Sequence, residues 1–154
     1  MPAIRCLTRD IQTYNENPDQ VEQVELPPDG TRLSAEEVKD LITGNTVSEM
    51  RMRGGKPYWR SWHHYMDDKT MVATIGHNLG CPTRRPWGIE DGKYWRILSR
   101  LEKLYWNNFR IEDRMLCMDA CDGNTEHSRA IVFKGDSEHL VGPTEGQELL
   151  QEEK

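Results

Sequence analysis

Alternating aromatic and polar residues mark the middle of the chain, where residues 57–66 read PYWRSWHHYM. A short polar segment, Asp67-Asp68-Lys69, separates this run from a second one, TMVATI. Aromatic and β-branched residues favour strands, and two such runs joined by a polar turn are typical of a β-hairpin. The pattern therefore predicts a central hairpin over residues 57–76.

The two faces of this hairpin differ in chemistry. Side chains alternate along a strand, so pairing Met66 with Thr70 leaves one face without permanent charge and puts Arg60 on the other. His63 then lies opposite the small side chain of Ala73, which leaves space beside the imidazole. The uncharged face holds Trp59, Ser61, His63, Tyr65, Met71, Ala73 and Ile75, and the other holds Tyr58, Arg60, Trp62, His64, Met66, Thr70, Val72 and Thr74.

One short helix precedes the strands. Ser34 and Glu37 have the spacing of a capping box, in which each side chain binds the backbone N–H of the other residue. Val38 begins an apolar stripe, and Gly44 is a natural stop because glycine readily adopts the conformation that ends a helix. We expect a helix over residues 35–43.

Further short strands follow at regular spacing, and their number decides the fold class. Residues 77–86 contain two prolines and predict a loop, whereas residues 99–104 fit either a helical turn or a continuing strand. One helix and about seven antiparallel strands predict a mainly β fold: a small, lipocalin-like antiparallel barrel or a strongly curved sheet. The other expected strands cover residues 46–52, 87–89, 94–98, 105–111, 114–119 and 129–134.

Composition divides the chain into three parts. Residues 1–30 are polar and end in Pro27-Pro28-Asp29-Gly30, which predicts an extended arm. We expect residues 31–140 to form the single barrel domain. Residues 141–154 are acidic and contain Gly and Pro, which predicts a flexible acidic tail.

Charge and hydropathy exclude several classes of partner. The chain of 154 residues has a formal net charge of −6 and a mean hydropathy of −0.82. Nucleic acid and anionic membranes bind basic faces, so we expect neither as a partner. No apolar run approaches the roughly 20 residues that span a bilayer. Residues 1–20 lack the apolar core of a secretory signal, which predicts a cytoplasmic protein, although a secreted protein without its signal peptide would look the same.

The four cysteines leave three alternatives open. Cys6, Cys81, Cys117 and Cys121 are free thiols if the compartment is reducing. In a secreted protein the even count permits two disulfides, with three possible connectivities. Metal binding is the third alternative, although a single C-x-x-x-C does not match the usual pair of zinc-binding C-x-x-C units.

The cluster of His63, His64, Asp67, Asp68 and His77 suggests a metal site, but strand geometry opposes it. His63 and His64 are adjacent and point to opposite faces, while His77 lies about 13 Å along the hairpin from His63. We therefore expect no metal site. No Gly-rich phosphate loop or nucleophile elbow is present, so we also expect no cofactor.

The uncharged hairpin face provides the candidate site. Inside a barrel, His63 would act as a general acid or base with Tyr65 assisting, or would only bind a ligand. Plain core packing is the alternative for each residue taken alone. The other residues expected to line the cavity are Trp59, Ser61, Ala73, Trp95, Tyr105 and Phe109.

Three functions follow from the two faces of the hairpin. The leading interpretation is the binding of a small, partly apolar ligand inside the barrel. The second is a cofactor-independent barrel enzyme, a lyase, isomerase or cyclase, that uses His63 as its general acid or base. The third is an interaction module, in which Arg60, Trp62 and His64 form the seam of a homodimer.

Residues 33–46, LSAEEVKDLITGNT, resemble the opening of a family of small, largely uncharacterised bacterial proteins. In that family a helix ending in a Gly-Asn-Thr turn, here Gly44-Asn45-Thr46, leads into a lipocalin-like antiparallel sheet. An aromatic strand, a turn and a Trp-containing strand follow in the same order here, so the resemblance covers residues 33–134. It implies the fold and no particular function, because one barrel fold supports many activities. Tyr94 departs from it, since a cysteine would be expected there.

Overall fold

Eight antiparallel strands close into a barrel in the computed structural model, which describes residues 22–74, 82–98, 101–137 and 140. A ninth, very short strand and one helix complete the described elements. In chain order they are β1 (Arg32–Leu33), α1 (Ala35–Ile42), β2 (Thr46–Arg53), β3 (Lys56–Tyr65), β4 (Thr70–Thr74), β5 (Pro82–Glu90), β6 (Lys93–Arg96), β7 (Leu104–Glu112), β8 (Met115–Cys121) and β9 (His127–Phe133).

The strands pair in chain order from β2 to β9, and β9 pairs back onto β2. This last ladder closes the sheet, so no barrel strand needs a free edge. β1 pairs with β7 beyond the end of β6, with Leu33 opposite Phe109. The predicted mainly β fold with one short helix is confirmed, and of the two forms expected, a small antiparallel barrel or a strongly curved sheet, the structure has the closed barrel.

Helix α1 begins as the sequence predicts. The backbone N–H of Glu37 donates to Ser34 Oγ at 3.1 Å, and the N–H of Ser34 donates to Glu37 Oε1 at 2.9 Å. The buried face of α1, formed by Ala35, Val38 and Ile42, packs into the barrel core. Because α1 leads directly into the start of β2, it lies at one end of the barrel, called here the helix end.

The central hairpin has the predicted register. Ladder pairs between β3 and β4 place His63 opposite Ala73 and Tyr65 opposite Met71. The side chains of His63, Tyr65 and Ala73 are fully buried, as expected for the inward face.

Residues 82–86 form the first half of β5, where the sequence predicts a loop. The N–H of Trp87 donates to the carbonyl of Lys69, the residue just before β4. Hydrogen bonds alternate along an antiparallel ladder, so the N–H groups of the odd-numbered residues of β5 point toward β4. Pro82 and Pro86 occupy even positions, whose N–H groups would point away from β4. The N–H groups that the two prolines lack are therefore not needed for the hydrogen bonds between β4 and β5.

Two smaller differences from the sequence prediction also appear. The sequence does not predict β1, because two residues carry no periodicity. The expected strands 105–111 and 114–119 place a turn at residues 112 and 113, whereas the turn between β7 and β8 lies at Asp113 and Arg114, both with positive φ.

The described part of the arm lies along the barrel. Val24 N donates to Val132 O at 2.8 Å, and Leu26 is buried. Arg114 donates to the carbonyls of Leu26 and Pro27. The expectations for residues 1–21 and for the acidic tail, residues 141–154, fall outside the described residues.

The chain after β9 covers part of the outer face of β3. Thr46 Oγ1 donates to Gly135 O at 2.7 Å and lies 3.1 Å from His64 Nδ1. Leu140 is fully buried in a small cluster with Trp62 and Val72. The outer face at Trp62 and His64 is therefore covered by the protein's own chain.

The cap of α1 can be tested by removing one side chain. Ser34→Ala should lower the free energy of unfolding by about 1 kcal/mol, because the N–H of Glu37 loses its acceptor. Ser34→Thr keeps the hydroxyl and serves as the matched control. Urea unfolding measures both variants, and equal stability of the alanine and threonine variants would contradict the capping role.

Candidate functional site

A buried ion pair crosses the barrel interior. Arg96 Nη1 donates to Glu49 Oε2 at 2.6 Å, and Arg96 Nη2 donates to Glu49 Oε1 at 2.9 Å. Both side chains are 1% exposed. Strand alternation places Glu49 on the inner face of β2 and Arg96 on the inner face of β6, so their charges meet inside the barrel.

Two further polar residues contact this pair. His63 Nδ1 lies 3.6 Å from Glu49 Oε2, and His63 Nε2 lies 3.0 Å from Ser61 Oγ. Ser61 is also the cross-strand neighbour of Glu49 on β3. We call Glu49, Ser61, His63 and Arg96 the polar cluster.

Burial and charge fix the protonation states of the polar cluster. Burial alone would raise the pKa of Glu49, but the charge of Arg96 and the interaction with His63 hold that pKa at about 2. Burial lowers the pKa of His63 to about 3, and the nearby Glu49 charge only partly opposes the shift. At neutral pH the cluster therefore holds one carboxylate, one guanidinium and a neutral imidazole.

Aromatic side chains pack beside the polar cluster. The hydroxyls of Tyr65 and Tyr94 are 2.6 Å apart, and burial raises the pKa of both groups. Arg96 lies over the ring of Trp106, with its guanidinium carbon 4.2 Å from the ring centroid. The guanidinium thus lies between a carboxylate and an aromatic face, and both favour its positive charge.

Several interior polar atoms in the described structure have no hydrogen-bond partner. Four belong to side chains that are almost inaccessible to solvent, and we call them the unpartnered atoms. For His63, the contact with Glu49 at 3.6 Å is too long for a hydrogen bond. The unpartnered atoms are His63 Nδ1, Arg96 Nε, Trp106 Nε1 and Ser128 Oγ.

A line of charges leads from the polar cluster to the barrel end opposite α1. Arg51 follows Glu49 by two residues on the same face of β2, and Arg51 Nη1 lies 2.5 Å from Glu126 Oε2. Glu126 borders a cavity of about 260 Å³ between residues 102–104 and 122–126. These segments join β6 to β7 and β8 to β9, so the cavity lies at the end away from the helix.

The structure brings together five of the residues selected from the sequence. His63, Tyr65, Ser61, Ala73 and Phe109 are all buried on inner faces of their strands.

Trp59, Trp95 and Tyr105 do not join this group. Trp59 shares the strand face of Ser61 but is 40% exposed. Trp95 packs over Gly88 on the outer surface, where a Cβ on Gly88 would lie 3.0 Å from Trp95 Nε1. Tyr105 donates to Glu90 Oε1 at 2.6 Å, and this bond raises the pKa of the phenol to about 12. Alternation puts Trp95 and Tyr105 outside because their neighbours Tyr94 and Trp106 face inward.

Sequence reasoning missed Glu49, Arg96, Trp106 and Ser128. The sequence does contain a signal for the ion pair, because Glu49 and Arg96 carry opposite charges at inward positions of two different strands. It could be recognised only with the register of the whole barrel, because 47 positions separate Glu49 from Arg96.

Metal binding and cysteine chemistry are the remaining alternatives that the sequence raises. No group of three or more His, Cys, Asp or Glu side chains is close enough there to hold a metal ion. Cys117 and Cys121 are free, and burial raises the pKa of both thiols. His77, Cys6 and Cys81 lie outside the described residues. No described helix has the length and apolar character to span a bilayer.

The ion pair predicts a non-additive loss of stability. Glu49→Gln and Arg96→Met should each lower the free energy of unfolding by about 3–5 kcal/mol, because each leaves a buried charge without its partner. The double variant removes both charges and should lose less than the sum of the two. Urea unfolding of all four proteins measures the coupling. Lys103→Met, which breaks the exposed pair with Glu90, is the control, and additive losses at Glu49 and Arg96 would contradict the pairing.

Acid should destabilise the protein in two overlapping ranges. The folded pKa of His63 is about 3 against an ordinary value of 6.5, so the unfolded chain binds a proton that the folded one excludes. The free energy of unfolding should therefore fall as the pH drops below 6.5 toward 3. The pKa of Glu49 is about 2 in the folded protein, so the free energy of unfolding falls further as the pH drops below 4.5. Urea unfolding across this range measures the profile. His63→Gln should make it less steep above pH 4.5, and the slope that remains belongs to His64, whose pKa burial also lowers.

Comparison with known proteins assigns no function to the chain, so its function is inferred from the geometry of the barrel interior. The suspected membership of a bacterial family stays a prediction, as nothing found bears on it. The chain matches no protein-family model, no curated protein and no solved structure.

Proposed function

We propose that the barrel binds one small, partly apolar molecule in its interior, with the polar cluster as its polar contact. The observation that carries this proposal is the set of unpartnered atoms, which belong to enclosed side chains of four different strands. A buried polar atom without a partner costs about 1–3 kcal/mol. Native proteins satisfy nearly all such atoms, so four of them on the inner faces of one barrel favour a partner that binds inside it.

The size of the surrounding residues supports the same location. Glu49 is flanked across the ladders by Ser61 and Ala130, and His63 by Ala73, all of which are small. A barrel of about eight strands can hold one small ligand. The rest of the interior is filled by the large side chains of Tyr65, Trp87, Tyr94, Trp106 and Phe109.

The cavity bordered by Glu126 suggests the route of entry. It lies at the end that α1 does not cover, and the ion pair of Arg51 with Glu126 separates it from Glu49. Both partners of this ion pair are partly exposed, so its opening costs far less than the opening of the buried pair.

The enzyme interpretation has weaker support. A general base works best when its pKa is near the working pH, and burial holds the pKa of His63 at about 3. Burial also raises the pKa of Tyr65, so its phenol keeps the proton at neutral pH. Recovery of a bound molecule unchanged supports binding, whereas its conversion to a product would favour a lyase, isomerase or cyclase.

Native mass spectrometry of freshly purified protein tests the proposal. A retained molecule should appear as added mass on the wild-type protein. Ala73→Leu places a larger side chain opposite His63 and should remove the added mass, at a stability cost of about 1–3 kcal/mol.

The adjacent histidines provide a matched pair of variants. His63→Ala should weaken retention while the fold is kept, because it deletes an interior polar contact. His64→Ala is the control, since His64 lies on the outer face beside Thr46. Equal retention by the two variants would contradict the placement of the ligand.

A further inference from the structure

The unpartnered atoms also restrict the chemistry of the ligand. Resting on the proposed function, we infer that the ligand is uncharged and presents a carbonyl-type oxygen acceptor on an apolar body. The inference follows from the charge balance of the interior, from the donor character of two unpartnered atoms and from the aromatic wall beside them.

Among the described residues, the interior has no spare charge for an ionic ligand. Glu49 and Arg96 neutralise each other through two hydrogen bonds, and Arg51 is paired with Glu126. An anion placed beside the cluster would meet the Glu49 carboxylate, and a cation would meet the Arg96 guanidinium. Either would be buried without a counter-charge of its own, which is costly in a site of low dielectric constant.

Two unpartnered atoms act only as donors. Arg96 Nε and Trp106 Nε1 each carry an N–H and have no acceptor capacity. The Arg96 guanidinium lies over the Trp106 ring at 4.2 Å, so the two N–H groups belong to side chains in direct contact. They require an acceptor, and a carbonyl oxygen with two lone pairs can accept from both.

The neighbouring wall is apolar. The Trp106 ring packs against Tyr94, with centroids 5.8 Å apart, and Tyr94 packs against Phe109 at 6.3 Å. Met118 lies opposite Phe109 on β8 and is buried in the same core cluster. A ligand whose oxygen lies at Arg96 and Trp106 would therefore contact these side chains with its remaining atoms, which favours an aliphatic or aromatic body.

Three probes of matched length test the inference: 2-nonanone, octanoate and octylammonium. The first is a neutral acceptor, the second an anion and the third a cation on the same aliphatic body. Binding is followed by NMR of protein labelled with ¹⁵N at the indole nitrogens. Trp106→Phe identifies the Trp106 signal. Trp87 is the internal reference, because its Nε1 already donates to Asp67 O at 3.0 Å.

The ketone should bind at least about tenfold more tightly than either ion, because it needs no counter-charge. The Trp106 indole proton should move downfield as it gains an acceptor, while the Trp87 proton stays in place. Trp106→Phe should weaken ketone binding about five- to tenfold, the value of one hydrogen bond.

Two results overturn the ligand class and leave ligand binding in place. One is tighter binding of octanoate or octylammonium than of the ketone. The other is a Trp106 indole proton that is already downfield and exchanges magnetisation with water, since an ordered water then holds the donor. If none of the three probes binds and fresh protein retains no molecule, both this inference and the proposed function fail.

Discussion

Glu49 and Arg96 meet across the barrel interior, and the positions of the other buried groups depend on this contact. β2 and β6 are not neighbours in the sheet, so the pair spans the space that the strands enclose. Removing two charges from water is costly, and only the bidentate geometry makes their burial tolerable. The pair therefore sets the distance between opposite walls, and His63, Ser61 and Trp106 pack around it.

The interior is divided between this polar region and an aromatic one. Trp87, Tyr94 and Phe109 pack with the buried face of α1 in one continuous core. Beside Glu49 the cross-strand neighbours are the small residues Ser61 and Ala130, and the Trp106 ring lies against Arg96 where the two regions meet. This division resembles the general pattern of ligand pockets, in which apolar walls provide contact area and a few polar groups fix orientation.

Local signals account for the parts of the fold that could be predicted. The capping box at Ser34 and the alternation around His63 depend on residues close in sequence, so the helix and the central hairpin were accessible. The first half of β5, which contains Pro82, could not be predicted in this way. Whether a proline interrupts a ladder depends on which edge of the strand faces its neighbour, and the local sequence does not show on which edge β4 lies. The Glu49–Arg96 contact was not accessible either, since it follows from the closure of the whole barrel.

The same limit explains which candidate residues were misplaced. Strand alternation sorts the residues of a strand into two sets but does not show which set faces the barrel interior. The aromatic side chains of Trp95 and Tyr105 would fit either face. Their buried neighbours Tyr94 and Trp106 are also aromatic, so the sequence offers no contrast between the two faces. Only the pairing of β6 with both β5 and β7 assigns them.

The segments that enter and leave the barrel also meet. Lys134 N donates to Glu22 O at 2.9 Å, and Gln23 pairs with Phe133. The two ends of the segment from residue 22 to residue 134 are therefore in direct contact. A circular permutant could join these two points by a short linker and open the chain at the exposed Gly54-Gly55 turn between β2 and β3. Such a permutant would begin at β3 and end at β2 and would keep the same order of strands around the barrel.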